Sequence, residues 1–190
     1  MYGRGFVQLH LKTKEAAWGG ILMALAVILI VLSGVIEASS MFLLAAASFI
    51  TGIFQRRFKT RAGVAFIAGT FLIGFILAPQ KLYCFTFAGF SVYVSVAEYL
   101  RGKNTPAAAG MFIKGICYHV LLAAALVMVK FFIGFEALFT EGFIAKMSKV
   151  PVLFVVLMVV AAEALWIIFD RAYIYFQERY GDIFGRWLDA

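Results

Sequence analysis

Charge is scarce in this chain. Asp, Glu, Lys and Arg make up 14% of its 190 residues, where a soluble domain carries about 25%. That deficit, with 64% hydrophobic residues and a mean hydropathy of +0.97, excludes an ordinary water-soluble domain. A chain of this length has too little interior to hide so much apolar side chain. Proline is rare as well. Three prolines and no low-complexity tract leave no linker, so the chain reads as one compact unit. The two cysteines, Cys84 and Cys117, are too few and too far apart for a metal motif, and both fall in apolar runs where they pack as small side chains. There is no Gly-rich phosphate loop after a strand, no paired His or His/Glu cluster, and no Gly-x-Ser-x-Gly. No catalytic residue, metal ligand or cofactor is therefore expected, and the chain is not read as an enzyme. Any uphill movement it supports must draw on an ion gradient or on another polypeptide.

What is present is a set of long apolar runs. A helix needs about 20 mainly apolar residues to span a bilayer. Six runs qualify, at roughly 16–36, 38–54, 62–78, 82–100, 107–135 and 150–169. The second is the weakest, being short and diluted by Ser39, Ser40, Ser48 and Thr51, so it either crosses or re-enters. The expected fold is all-α: a six-helix transmembrane domain over 1–169, followed by a tail over 170–190. In the tail Phe176, Tyr180, Ile183, Phe184, Trp187 and Leu188 follow a helical spacing, with Gln177, Glu178, Asp182, Arg186 and Asp189 on the other side. That pattern predicts an amphipathic helix lying on the inner leaflet.

The basic residues orient the spans. The stretch "IFQRRFKTRAGV" packs Arg56, Arg57, Lys59 and Arg61 between two apolar runs. Together with Arg4, Lys12, Lys14, Arg101, Lys103, Arg171, Arg179 and Arg186 these make twelve basic residues in alternate connections, against Lys81, Lys146 and Lys149 in the others. A bias in register with six crossings is the positive-inside pattern, and it places both termini in the cytoplasm. The cluster at 56–61 is thus a topology anchor in contact with membrane lipids. Nucleic-acid binding is excluded, because no aromatic-basic face accompanies the charge. The first apolar run is about 20 residues long, too long for the core of a cleaved signal peptide.

Three features point toward function. Small residues let helices approach closely in lipid, and they recur at Ala16, Gly20 and Ala24, at Thr70, Gly74 and Ala78, and at Ser48 and Gly52. Each stripe either packs internally or faces a partner; the first is the better candidate for a partner, because an end helix is often peripheral. Intramembrane charge comes next. Lys114 and Glu163 each lie about seven residues from the cytoplasmic end of their spans. They are expected to pair, either as a structural salt bridge or as part of a proton or ion relay through His119, one turn deeper. Glu98 and Lys130 are expected to reach to opposite interfaces. Finally, Glu37, Gln80, Lys81, Tyr83 and Glu136 fall in the outer connections. With Tyr93, and near Phe85, Phe87 and Phe90, they are candidates for an outward-facing solute pocket.

The first span, "EAAWGGILMALAVILIVLSG", resembles the opening helix of the substrate-capture (S) components of energy-coupling-factor vitamin transporters. "LAPQKLYCFTFAGFSVYV" and "LWIIFDRAYIYFQERY" are similar to a related group of uncharacterised six-span bacterial membrane proteins. The resemblance implies a bacterial cytoplasmic-membrane protein that binds a vitamin-like small molecule. It also implies docking through Ala16, Gly20 and Ala24 on a transmembrane coupling subunit that works with a separate ATPase. The alternatives are a non-transport membrane scaffold or assembly protein, and a gradient-driven transporter with Lys114, His119 and Glu163 as its relay.

Overall fold

The computed structural model describes residues 13–132 and 151–189, and every secondary element among them is helical. Helix α1 spans Thr13–Val35, and a 3-10 turn over Glu37–Ser39 leads into α2, Ser40–Leu77. Then follow α3, Lys81–Gly102, and α4, Ala107–Phe132. The last helix, α5, is Pro151–Asp189. Three stretches are long and apolar enough to cross a membrane: Ala16–Val35, Glu37–Leu77 and Ala107–Phe131. They mark the chain as a membrane protein.

The 38 residues of α2 do not form one rod. Phe54 and Phe66 stack with ring centroids 4.6 Å apart, yet twelve residues of straight helix would separate them by about 18 Å. The chain reverses at Lys59, whose φ of 68° and ψ of 168° lie outside helical space. Two antiparallel arms result, 40–58 and 60–77. Close packing at the reversal requires Gly63, because a Cβ there would collide with the Gln55 side chain. The basic run thus contains a one-residue turn where the sequence suggested a loop of several residues. The second apolar run accordingly forms a full helical arm.

α1, both arms of α2, and α3 share one core. Leu22, Ala26 and Ile30 meet Leu44, Ala47, Ile50 and Phe54, with Phe66, Ala78, Cys84 and Phe87 closing the cluster. Gly34 and Pro79 pack together where α1 ends and α3 is about to begin, so those connections share one end of the bundle. The opposite end holds Lys59, Lys103 and Asn104. Asn104 turns the chain after α3 with φ 51°, a left-handed conformation that Asn tolerates well. This second end gathers Arg56, Arg57, Lys59, Arg61, Arg101 and Lys103, while the Pro79 end carries Lys81.

α4 and α5 attach more loosely. No residue of α4 from 107 to 131 is buried, and among the described side chains of α5 the buried ones are Asp170, Tyr173 and Gln177. Their spacing, i, i+3 and i+7, makes a single stripe along one helical face. α5 runs unbroken through residue 170, where the sequence reading ended the last span and began a separate surface helix. Gln177, assigned to the polar outer side of that helix, is 1% exposed and donates from Nε2 to the Phe49 carbonyl at 3.2 Å. The reason is physical. In a membrane bundle the polar face of a helix turns inward to find partners, whereas in a soluble bundle it turns outward. The side chains of 182–189, including Ile183, Phe184, Trp187 and Leu188, lie outside the described residues.

Around this apolar core the distribution departs from that of a soluble protein. Ser33, Ser48, Thr51, Gln55, Thr70, Ser91, Ser95 and Glu98 are buried, while Ile21, Leu25, Ile28, Leu72, Ile76 and Val155 through Val160 are exposed. Without a hydrophobic drive between helices in lipid, close packing and hydrogen bonds must hold them together. Gln55 supplies two such bonds. Its Nε2 donates to the Ser95 carbonyl at 2.9 Å, and its Oε1 accepts from Ser95 Oγ at 2.5 Å.

Candidate functional site

The three small-residue stripes have different fates. Thr70, Gly74 and Ala78 are buried, as are Ser48 and Gly52. A Cβ at Gly52 would collide with Tyr173 and Gln177, so this glycine is the point where α5 meets α2. Ala16, Gly20 and Ala24 are exposed, and nothing approaches within 4 Å of where a Gly20 Cβ would stand. The buried face of α1 is formed by Gly19, Leu22, Ala26, Ile30 and Ser33, and the open stripe lies about 120° around the helix from it at 3.6 residues per turn.

The intramembrane charges come together, but in pairs that differ from the expected one. Lys114 does not reach Glu163. It donates to both oxygens of Asp170, at 2.6 Å and 2.8 Å. His119 takes Glu163 instead, with Nε2 3.0 Å from Oε1. Seven residues of α5, about 10 Å of rise, separate the two acids, so each finds the α4 residue at its own level. Between these rungs Tyr118 stacks on Trp166, with centroids 5.5 Å apart and planes 14° from parallel. Tyr118 Oη also donates to the Ala162 carbonyl at 2.8 Å. Long side chains therefore bridge α4 and α5 in three layers.

The lower layer extends to α3. Trp166 Nε1 donates to Tyr93 Oη at 2.9 Å, and Tyr93 donates to Asp170 Oδ1 at 2.8 Å. The Lys114–Asp170 pair is well enclosed, with side-chain exposures of 15% and 4%, whereas His119 and Glu163 are 60% and 35% exposed. Lys114 and Asp170 thus satisfy each other's charge, and the His119 layer is the more exposed of the two.

No family model, curated protein or solved structure matches this chain. The geometry alone carries the functional reading.

A second polar knot, which the sequence reading did not assemble, lies nearer the basic end. Arg56 holds Glu98 through Nε and Nη2, each at 2.9 Å. Tyr173 donates to Glu98 Oε1 at 2.6 Å, and Arg56 Nη1 reaches the Gln177 carbonyl at 3.4 Å. Glu98 is 7% exposed and does not reach to an interface; Arg56 is an internal partner as well as a member of the basic run. This knot ties α2, α3 and α5 together. Its sequence signal was a period. Thr51 and Gln55 on α2, and Ser91, Ser95 and Glu98 on α3, recur at helical spacing within apolar runs.

The candidate solute-binding residues do not converge. Glu37 and Gln80 are exposed at the Pro79 end, and Tyr83 is half-buried. Lys81 is occupied with the end of α2, donating from Nζ to the carbonyls of Phe75, Ile76 and Ala78 at 2.5 Å, 3.2 Å and 3.0 Å. Tyr93 lies twelve residues, or about 18 Å, farther along α3 in the Asp170 layer. Glu136 lies outside the described residues. The aromatic residues expected near a pocket pack on one another: Phe85 against Phe71 and Phe75, Phe90 against Phe169, and Phe87 in the core.

Proposed function

We propose that this protein is the substrate-binding component of a small-molecule uptake system in a bacterial cytoplasmic membrane. In this reading it crosses the bilayer six times, with the basic end in the cytoplasm. α1, the two arms of α2, α3, α4 and the 151–169 part of α5 are the six crossings. Separate coupling and ATPase subunits supply the energy. The observation that carries the reading is the exposed stripe of α1. Two of the three small-residue stripes are used up inside the fold, and Ala16, Gly20 and Ala24 remain open. An open small-residue face is what a second transmembrane helix needs for close approach. The solute, a vitamin-like molecule, is met at the half-exposed layer of Tyr118, Trp166, His119 and Glu163, which offers an aromatic surface beside polar groups.

Replacing Gly20 and Ala24 together by Leu tests the docking. Purified from its native host in mild detergent, the unaltered protein is expected to bring a coupling subunit and an ATPase in stoichiometric amounts. The double variant should insert and fold normally and lose both. Equal recovery of the two subunits with the variant refutes docking through this face, and a wild-type protein that purifies alone shifts the reading to a scaffold.

A different observation favours a gradient-driven transporter as the second reading: His119 and Glu163, two members of the expected relay, are in contact. Glu163→Gln should then abolish uptake while the folded protein persists. Normal uptake by that variant removes this reading.

A further inference from the structure

Three acids face other helices within the bundle, and their surroundings differ. Glu98 accepts from Arg56 Nε and Nη2, each at 2.9 Å, and from Tyr173 at 2.6 Å. Asp170 accepts twice from Lys114, at 2.6 Å and 2.8 Å, and once from Tyr93 at 2.8 Å. Glu163 accepts no hydrogen bond from any described residue. Its charged contact is with His119, whose Nε2 is 3.0 Å from Oε1. His119 Nδ1 is 2.8 Å from the Gly115 carbonyl oxygen. That oxygen only accepts, so the proton of the neutral ring sits on Nδ1, and Nε2 carries a lone pair. The neutral ring therefore gives Glu163 no hydrogen bond. An ionised carboxylate in a membrane span is costly unless a partner or water meets it. Of the three acids, Glu163 is the one that the described residues leave without a donor.

The donors nearby are spent elsewhere. Tyr118 donates to the Ala162 carbonyl, and Trp166 Nε1 donates to Tyr93 Oη. Lys114, one level down, is engaged by both oxygens of Asp170. The layer therefore offers a carboxylate, an imidazole lone pair and the half-buried rings of Tyr118 and Trp166, whose centroids are 5.5 Å apart. These features select one chemistry. A carboxylate takes a charged N–H donor in preference to a neutral one. The faces of Trp and Tyr attract a cation and stack on a planar one. We propose that this layer binds a planar organic cation carrying N–H donors, such as an amidinium or guanidinium group, with Glu163 as its counter-ion and His119 Nε2 as a second acceptor. Glu163 is 35% exposed and His119 60%, so the ligand reaches both while the enclosed Lys114–Asp170 pair stays intact. The inference rests on the reading of this layer as the solute site of an uptake component, and it gives that solute a positive charge.

Three isosteric probes test the charge: benzamidinium, neutral benzamide and anionic benzoate. The chain has three tryptophans, so Trp18→Phe with Trp187→Phe leaves Trp166 as the sole emitter. The full chain carrying both changes would be held in nanodiscs of zwitterionic phosphatidylcholine, which do not concentrate a cation at their surface. Benzamidinium should quench Trp166 saturably and bind about tenfold tighter than benzamide, with benzoate weakest. Glu163→Gln should bring benzamidinium and benzamide to parity, and Glu163→Asp, which keeps the charge, should retain the preference. Equal or absent binding of the three probes to the parent overturns the proposal. So does a cation preference that survives Glu163→Gln or is lost in Glu163→Asp while Trp166 keeps the emission of the folded chain. The uptake reading fails separately. A chain that prefers the cation but purifies without coupling subunit and ATPase keeps this site and loses that reading, and a chain that purifies with both but shows no preference loses this inference alone.

Discussion

Gly52→Ala adds one methyl group at the place where α5 leans on α2. On helix propensity alone the change should stabilise by about 1 kcal/mol. The structure predicts the opposite. The new Cβ would overlap Tyr173 Oη and Cε2 and Gln177 Nε2. Forcing a methyl group into a packed contact costs about 1–3 kcal/mol. Displacing either side chain also breaks a buried hydrogen bond, Tyr173 to Glu98 or Gln177 to the Phe49 carbonyl, and an unmade buried bond costs about 1–3 kcal/mol. With one bond lost, the net effect is a destabilisation of about 3 kcal/mol. Gly20→Ala is the matched control, because nothing lies within 4 Å of its Cβ position. Reversible unfolding in bicelles by steric trapping measures both variants against the parent. Gly20→Ala should be unchanged or slightly more stable. If Gly52→Ala matches it, the packing of Tyr173 and Gln177 against α2 is wrong.

Other predictions follow from the same structure. Arg56→Ala should destabilise by about 3 kcal/mol, because it strands a buried carboxylate. Glu98→Ala should cost less in the same unfolding assay, since Arg56 is 26% exposed and can turn toward water; a larger loss for Glu98→Ala contradicts this. Lys59→Gly should preserve or raise stability by about 1 kcal/mol, because a Lys at φ 68° and ψ 168° occupies a region that is nearly glycine-only. Lys59→Ile should lower it, and the reverse order refutes the one-residue turn. Lys81→Met should reduce stability by about 1 kcal/mol through loss of a helix C-cap, with no change in uptake. A selective loss of uptake would instead return Lys81 to a solute site.

The helices were legible because composition and span length act locally. Their partners were not, because adjacency is a property of packing. Lys114 and Glu163 share a depth when each is counted from the same end of its span, yet α5 runs on past residue 169, so that Asp170 lies level with Lys114 and Glu163 with His119. Asp170 stands next to Arg171 at the end of an apolar run and reads as an interface residue. The periodic set Asp170, Tyr173 and Gln177 was the available clue; only Gln177 of the three was read, and it was assigned outward by a rule made for water. The exposed stripe of α1 was visible in the sequence as a pattern; its distinction from the stripes at 70–78 and 48–52 required knowing which faces were already covered.

Site-specific photocrosslinking along α1 in the native host tests the docking claim most directly. A photoreactive residue at 16, 20 or 24 should yield a crosslink to one and the same transmembrane coupling subunit, and a residue at 21 or 25, exposed on a different side of the helix, should not. Adducts to lipid alone from the stripe, or the same protein captured equally from 21 and 25, would contradict an uptake component docked through this face.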